Sequence, residues 1–310
     1  GDAATAAAYA SAHVISDIAL LNIFNKADDA LFDSNGKMVS DASILPGYLD
    51  DLDWYDQAVR NGYRQEYNLS ANGSTDKSDY RFSVGYLDEN GYLKDSGFER
   101  LTGALAVNVQ PKKWFKTGLS VNASHQKFTN TNGGSDASFT NVFMYCRNIA
   151  PIYPVHIHDV NTGEYILDSD GNKQYDPGYY TNADGVQVDT RNQMVDRHVM
   201  WENELNFDRT VRNTLNSTAY IDIYLPYGFT FTVKGNLNLR SNRNETYNSA
   251  VIGDGKGSEG RAKRDEYNYK NYTFQQQLAW RQEYGKHSID VLRICGEGRK
   301  QRCDRKEKTG

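Results

Sequence analysis

Asp168-Ser169-Asp170-Gly171-Asn172 has the oxygen-rich make-up of a calcium loop. An EF-hand site needs its glycine at the sixth loop position and a distal glutamate, and here the glycine comes fourth. A β-turn joining Tyr165-Ile166-Leu167 to Lys173-Gln174-Tyr175 accounts for the segment better. Asp33-Ser34-Asn35-Gly36 reads the same way. His156 and His158 flank Ile157 and would supply two metal ligands, but zinc takes four, and only Asp159 stands near them. The carboxylates Asp189, Asp196, Glu202 and Glu204 have no spacing that fixes a glycosidase pair. Gly253 to Gly257 lacks the strand–loop–helix setting and the Lys-Ser/Thr ending of a phosphate loop. No Ser or Cys has an identifiable His partner. These residues make no catalytic site and no metal site, and they imply no cofactor.

The elements that would position any site are strands. Leu101 to Ser124 reads as two alternating runs around Gln110-Pro111-Lys112-Lys113. Leu101, Leu105, Val107 and Val109 share one face of the first arm, and Phe115, Leu119, Val121 and Ala123 share one face of the second. Apolar residues are 38% of the 310, and mean hydropathy is −0.73. No run approaches the roughly eighteen apolar residues of a membrane helix. A membrane barrel stays open as a reading, because alternating strands average to polar. Net charge is −5, which gives no large basic field for nucleic acid. The cysteines at 146, 295 and 303 fit neither metal-ligand spacing nor a disulfide framework. Residues 1–13 lack the basic start and apolar core of a signal peptide, and a glycine stands first, so an internal piece of a longer precursor is expected.

Residues 2–24 read as a helix, and Asp53 to Val59 as a short helix with Asp53 at its N-cap. From Tyr63 the texture changes to alternation in runs of about ten to fifteen residues, against about five or six in soluble sandwiches and about ten for a tilted crossing of a bilayer. Short breaks fall at 72–78, with Asn72-Gly73-Ser74 as the turn, and at 110–114, 226–228 and 285–286. Longer connectors fall at 88–97, 129–210 and 246–265. Outer-membrane barrels alternate short periplasmic turns with long external loops in this way. A crossing at Arg197 to Phe207 would put the turn at Pro226-Tyr227-Gly228 on the wrong side, so that piece is expected as a helix or strand extension in the loop. Eight membrane strands result. Tyr63, Tyr67, Tyr86, Phe98, Trp114, Phe115, Tyr227, Phe229, Trp280 and Tyr284 gather near the run ends like interfacial girdles.

Residues 60–124 resemble the early barrel of the SusC/RagA family of TonB-dependent outer-membrane transporters. The resemblance is carried by Gly62, Tyr67 to Ser70, Gly73-Ser74, Gly85 to Leu87, Glu89 to Gly91 and Phe98 to Arg100. Arg147 to Pro154 and Gly228 to Phe231 extend it, so that it covers about residues 1–292. It implies an all-β, antiparallel transmembrane β-barrel segment: about eight long strands of a barrel of twenty-two, with long external loops and short N-terminal helices. Residues 1–62 form a helical and loop segment on the external side. Residues 63–292 form the partial barrel, with a long external loop at about 129–210. Residues 293–310 depart from the family, with seven basic and three acidic residues and no aromatic. A frame change or truncated coding region accounts for them, and a genuine basic tail is the alternative.

The resemblance also implies a role in nutrient import across the outer membrane of a Gram-negative, Bacteroidetes-like cell, with no enzymatic step. The cargo would be oligosaccharide, or else peptide. The partners would be a SusD-like surface lipoprotein, the TonB complex and membrane lipid, with no nucleic acid. Tyr145, Arg147, Tyr153, Tyr179, Tyr180 and Trp201 lie in the long loop and are the expected ligand contacts. Aromatic faces stack on sugar rings, and Arg and Tyr heads bind hydroxyls. Packing of the loop or of the lipoprotein interface would explain the same residues. The rival reading of the whole chain is a soluble or surface-attached glycan-binding β-protein. The deciding question is whether the apolar strand faces meet lipid or a second protein layer.

Overall fold

The computed structural model describes Thr5, Tyr9, residues 13–131 and residues 139–309. Eight long strands form one antiparallel sheet in the order β1-β2-β3-β4-β7-β8-β9-β10. They are β1 (Tyr63–Thr75), β2 (Ser78–Asn90), β3 (Gly97–Lys112), β4 (Phe115–Asn130), β7 (Phe207–Tyr224), β8 (Phe229–Asn248), β9 (Arg261–Tyr284) and β10 (His287–Thr309). The intervening β5 (Tyr179–Thr181) and β6 (Gln187–Asp189) pair only with each other. The sheet is open, with β1 and β10 at its edges. β1 and β2, at 13 residues each, match the expected run lengths, and the other six strands, at 16 to 24 residues, exceed them. Segment 293–309, set apart by its composition, continues β10 against β9.

Neighbouring strands are joined alternately at one end by tight turns and at the other by long connections. Asp76-Lys77, Lys113-Trp114, Leu225 to Gly228 and Gly285-Lys286 make the tight end. The segments 91–96, 131–206 and 249–260 make the other. The first turn lies later than the sequence suggested. Asn72-Gly73-Ser74 stay in β1, paired with Arg81, Tyr80 and Asp79. At Gly73 a Cβ would stand 2.5 Å from the Tyr80 hydroxyl. The ring occupies the space a side chain would fill.

Period-two alternation gives the sheet two unlike faces. One register row runs Ala71, Phe82, Leu105, Val121, Ser217, Leu237, Tyr272. The next polar-face row runs Ser70, Ser83, Ala104, Asn122, Asn216, Asn238, Asn271. On the apolar face Leu69, Phe82, Val84, Leu105, Leu119, Ile221, Phe274 and Leu278 are exposed, with no second layer over them among the described residues. The band spans Leu101 to Val109 on β3, Leu215 to Ile223 on β7 and Phe229 to Leu239 on β8, the roughly nine to eleven residues that cross hydrocarbon. Beyond Leu215 and Leu239 the same face turns polar with Asn213, Ser241 and Asn268. The strands therefore project past the band at the end that carries the long connections. On β10 the band is broken by Arg293, Glu297 and Arg299, opposite Leu278, Phe274 and Tyr272.

At the tight-turn end Trp114, Tyr227, Phe229 and Tyr284 are exposed, and Trp280 Nε1 donates to Tyr227 O at 3.0 Å. Tyr67 and Tyr86 pair at the other rim. Phe98 does not join that girdle. Its register puts it on the polar face, against the Phe128 ring at 4.6 Å.

Most of the buried core lies off the sheet. Leu21, Ile23, Tyr48, Trp54, Ala58, Val142, Tyr145, Tyr153, Val155, Val199 and Met200 form one cluster. They come from segment 13–62 and from the connection between β4 and β7, which fold together as a small domain at the long-connection end. Its helices are α1 (Trp54–Ala58), α2 (Val142–Asn148) and α3 (Val199–Leu205). Each has a side-chain cap: Asp53, Asn141 and His198 accept from the backbone N–H of Asp56, Met144 and Trp201. Of the helix expected over 2–24, Thr5, Tyr9 and His13 are α-helical and Val14–Ala19 are π-helical, with Leu20 at φ 61° ending the run; residues 1–4, 6–8 and 10–12 lie outside the described ones. Leu21 and Ile23 then enter the core in extended backbone.

Candidate functional site

Two regions can meet a solute, the polar strand face and the loop domain that stands at its long-connection end. The loop domain is built around buried charge. Asp51 is fully buried, and its carboxylate accepts from the His156 N–H at 2.7 Å, from His156 Nδ1 at 2.6 Å and from His158 Nε2 at 2.9 Å. Its backbone carbonyl accepts from Val155 N at 3.0 Å. Burial pulls this carboxyl upward, but the hydrogen bonds from His156 and His158 win and hold it well below the usual carboxylate range. His158 Nδ1 faces Gly163 O at 2.8 Å. The ring of His158 is thus held on both sides, by Asp51 at Nε2 and by the Gly163 carbonyl at Nδ1. The two histidines considered as metal ligands are the clasp between segment 13–62 and the long loop.

His198 is held differently. Its Nε2 donates to Val155 O at 2.9 Å, while Nδ1 accepts from Trp201 N at 3.2 Å, so the ring is neutral. Burial pushes it down to about 3, helped by the charge of Arg191. Arg191, also buried, donates to Asp176 O, Gln193 O and Arg197 O and pairs with the Asp176 carboxylate at 3.5 Å. Glu202 accepts from Arg197 Nε at 2.9 Å and from His198 N at 3.1 Å through Oε1. Its Oε2 is buried with no hydrogen-bond partner among the described residues. Burial pushes this carboxyl up to about 7 against the pull of Arg197. Gly253 packs so closely that a Cβ would stand 2.1 Å from Glu202 Oε2. The glycine-rich Gly253–Ser258 turn therefore covers a carboxyl and locks the β8–β9 connection to α3.

The six expected ligand contacts do not converge. Tyr145 and Tyr153 are buried in the core, donating to Arg197 O at 3.0 Å and Ala19 O at 3.0 Å. Both rings pack in the core of the loop domain, the packing role weighed for them in sequence. Arg147 is exposed in the last turn of α2. Tyr179 donates to Asp196 at 2.7 Å and receives Lys256 at 3.1 Å. Tyr180 pairs with Val188 in the β5–β6 hairpin. Trp201 is half-buried beside the Tyr175 ring at 6.3 Å. Asp168 closes its turn by accepting from Asp170 N at 2.9 Å and Asn172 N at 2.8 Å, and Asp33 does the same for Asn35 and Lys37. Among the described residues no three His, Cys, Asp or Glu side chains come together as metal ligands.

In sequence, the polar strand face reads equally as a solvated surface and as a lumen wall. Register makes it specific. Asn122, Asn216, Asn238 and Asn271 stand side by side on β4, β7, β8 and β9. One row toward the long-connection end lie Thr214, Arg240 and Tyr269, and beyond them Arg212, Asn242 and Tyr267. Asp208, Thr210 and Thr218 are tied in by Asn244 and Asn236.

No family model matches the chain. Three curated proteins share sequence with it. TonB-dependent receptor P39 of Formosa agariphila is 26% identical over 121 residues, 39% of this chain and 12% of its own length. TonB-dependent receptor SusC of Bacteroides thetaiotaomicron is 38% identical over 78 residues, 25% of this chain and 7% of its own length. TonB-dependent receptor P3 of Formosa agariphila is 23% identical over 248 residues, 77% of this chain and 22% of its own length. The chain thus spans less than a quarter of each relative. Among solved structures, the RagAB peptide transporter superposes with a TM-score of 0.55 at 13% identity, covering 89% of this chain and 32% of that one. The RagAB peptide importer in its open-open state gives 0.56 at 13% identity, covering 95% and 33%. An open eight-stranded sheet with one bare apolar face fits one sector of such a barrel. By sequence and by fold, the chain is similar to one barrel segment of SusC/RagA-type TonB-dependent receptors.

Proposed function

We propose that this chain supplies wall and loops to an importer in the outer membrane of a Bacteroidetes cell. The exposed apolar band carries the reading. Its height matches a bilayer crossing, and its side chains stay exposed among the described residues. A soluble glycan-binding β-protein would have to bury those side chains. The polar face then lines a wet interior, and the tight turns with their aromatic residues face the periplasm. Residues 13–62 and the β4–β7 connection form a cap domain on the external side. The solved neighbours are titled peptide transporter or importer, and one relative is SusC, which supports oligopeptide or oligosaccharide cargo. The same likeness supports a SusD-like lipoprotein over the external mouth and drive from the TonB complex. The chain's own part is to bind and guide, with no bond made or broken.

The test is fractionation of cells expressing the receptor that contains this chain, with growth on peptide or oligosaccharide as sole nutrient. Outer-membrane recovery and nutrient-dependent growth are expected, both lost when Phe82 and Leu105 are replaced by Arg. Recovery in the soluble fraction would overturn the reading.

A further inference from the structure

The polar face is not uniform. At the long-connection rim of the apolar band, Arg212, Asn238, Arg240, Asn242, Tyr267, Tyr269 and Arg302 line a cavity of about 490 Å³. Arg302 is occupied, donating to Asp304 at 2.9 Å. Arg212 donates through Nε to Asn242 at 3.3 Å and lies over the Phe128 ring, which fixes its stem and leaves the terminal nitrogens without a carboxylate. Arg240 is exposed and has no hydrogen bond or ion pair among the described residues. The carboxylates toward the rim are engaged elsewhere, Asp208 by Asn244 and Asp265 by Lys263. Two guanidinium groups short of an acidic partner therefore share a concave site with two tyrosines.

We propose that Arg212 and Arg240 form a subsite for a carboxylate group on an elongated solute. A planar guanidinium matches a carboxylate through two parallel hydrogen bonds, and a concave wall of one sign concentrates the anion before contact. Tyr267 and Tyr269 offer rings and hydroxyls to the neutral part of the chain. Asn238, with Asn122, Asn216 and Asn271 on the next row, continues a lane of uncharged donors and acceptors toward the tight-turn end. The subsite deepens the import reading and rests on the polar face being a solute path. It selects acidic over neutral cargo at the mouth.

Isothermal titration of the receptor that contains this chain, in detergent micelles, tests it with trigalacturonate, triglutamate and maltotriose as probes. Both acids are expected to bind at least tenfold more tightly than maltotriose, with affinity falling as salt rises. Arg240→Ala should weaken the acids at least tenfold and leave maltotriose unchanged, Arg240→Lys should recover part of the loss, and Lys116→Ala, near the tight-turn end of the same face, should change nothing. The tighter acid identifies the source as acidic glycan or acidic peptide. Equal binding of acid and neutral probes, no acid binding, or full affinity in Arg240→Ala would overturn the subsite. Uptake in cells is read separately, so a failed import assay with acid binding intact rejects the import reading and spares the site.

Discussion

At Asp51 four backbone and side-chain donors meet one residue that water does not reach. Removing one partner of such a buried set costs on the order of 3 kcal/mol. Asp51→Asn should lose that much stability at pH 7, read by urea unfolding followed at Trp54 with the other tryptophans replaced. The folded carboxyl is held below its unfolded range, so its contribution is full above about pH 4 and is lost as pH falls through the folded value. The difference between native chain and variant should therefore shrink in acid. Glu202 has the opposite sign. Its folded value of about 7 lies above the unfolded one, so its contribution is full below about pH 4 and is lost as pH rises toward 7. Glu202→Gln should flatten that decline, and equal slopes for native and variant would contradict the assignment. Neither group was legible in the sequence. Asp51 meets His156 and His158 only through the tertiary fold, and sequence shows residue types without their partners.

At the scale of elements, strand, turn and face were readable because each rests on local chemistry. Alternation placed the long strands, and Asp53 announced its helix. The errors have local causes too. Asn72-Gly73-Ser74 looks like a turn, yet Gly73 stays in β1, opposite the Tyr80 ring across the ladder. Phe98 looks like a girdle residue, yet its register turns it inward to Phe128. A one-residue step reverses the face, and that gives a sharp expectation. Phe82→Arg should cost about 2 to 4 kcal/mol in lipid, whereas its neighbour Ser83→Arg should fall within about 1 kcal/mol of the native chain. Unfolding from lipid nanodiscs measures both, and similar penalties would contradict the assignment of faces.

For the molecule as a whole, the sheet is a sector with two open edges, each presenting unpaired N–H and C=O groups that hydrocarbon does not tolerate. The cap domain was the part least visible in the sequence. Its core joins Trp54 to Tyr153 and Tyr48 to His158 across the whole β1–β4 hairpin pair, and no periodicity reports contacts of that separation. Long-range packing also explains why Tyr145 and Tyr153 turned out to hold the cap together. The membrane assignment rests on one property of the sheet, so one measurement bears on it most directly. Cysteines 146, 295 and 303 would be replaced, and single fluorescent labels placed at 82, 105 and 121 and at 83, 104 and 120. In micelles doped with a doxyl-lipid quencher, labels at 82, 105 and 121 should be quenched strongly and the other three only by an aqueous quencher. Equal access of the aqueous quencher to both sets would show that water, not lipid, wets the apolar face.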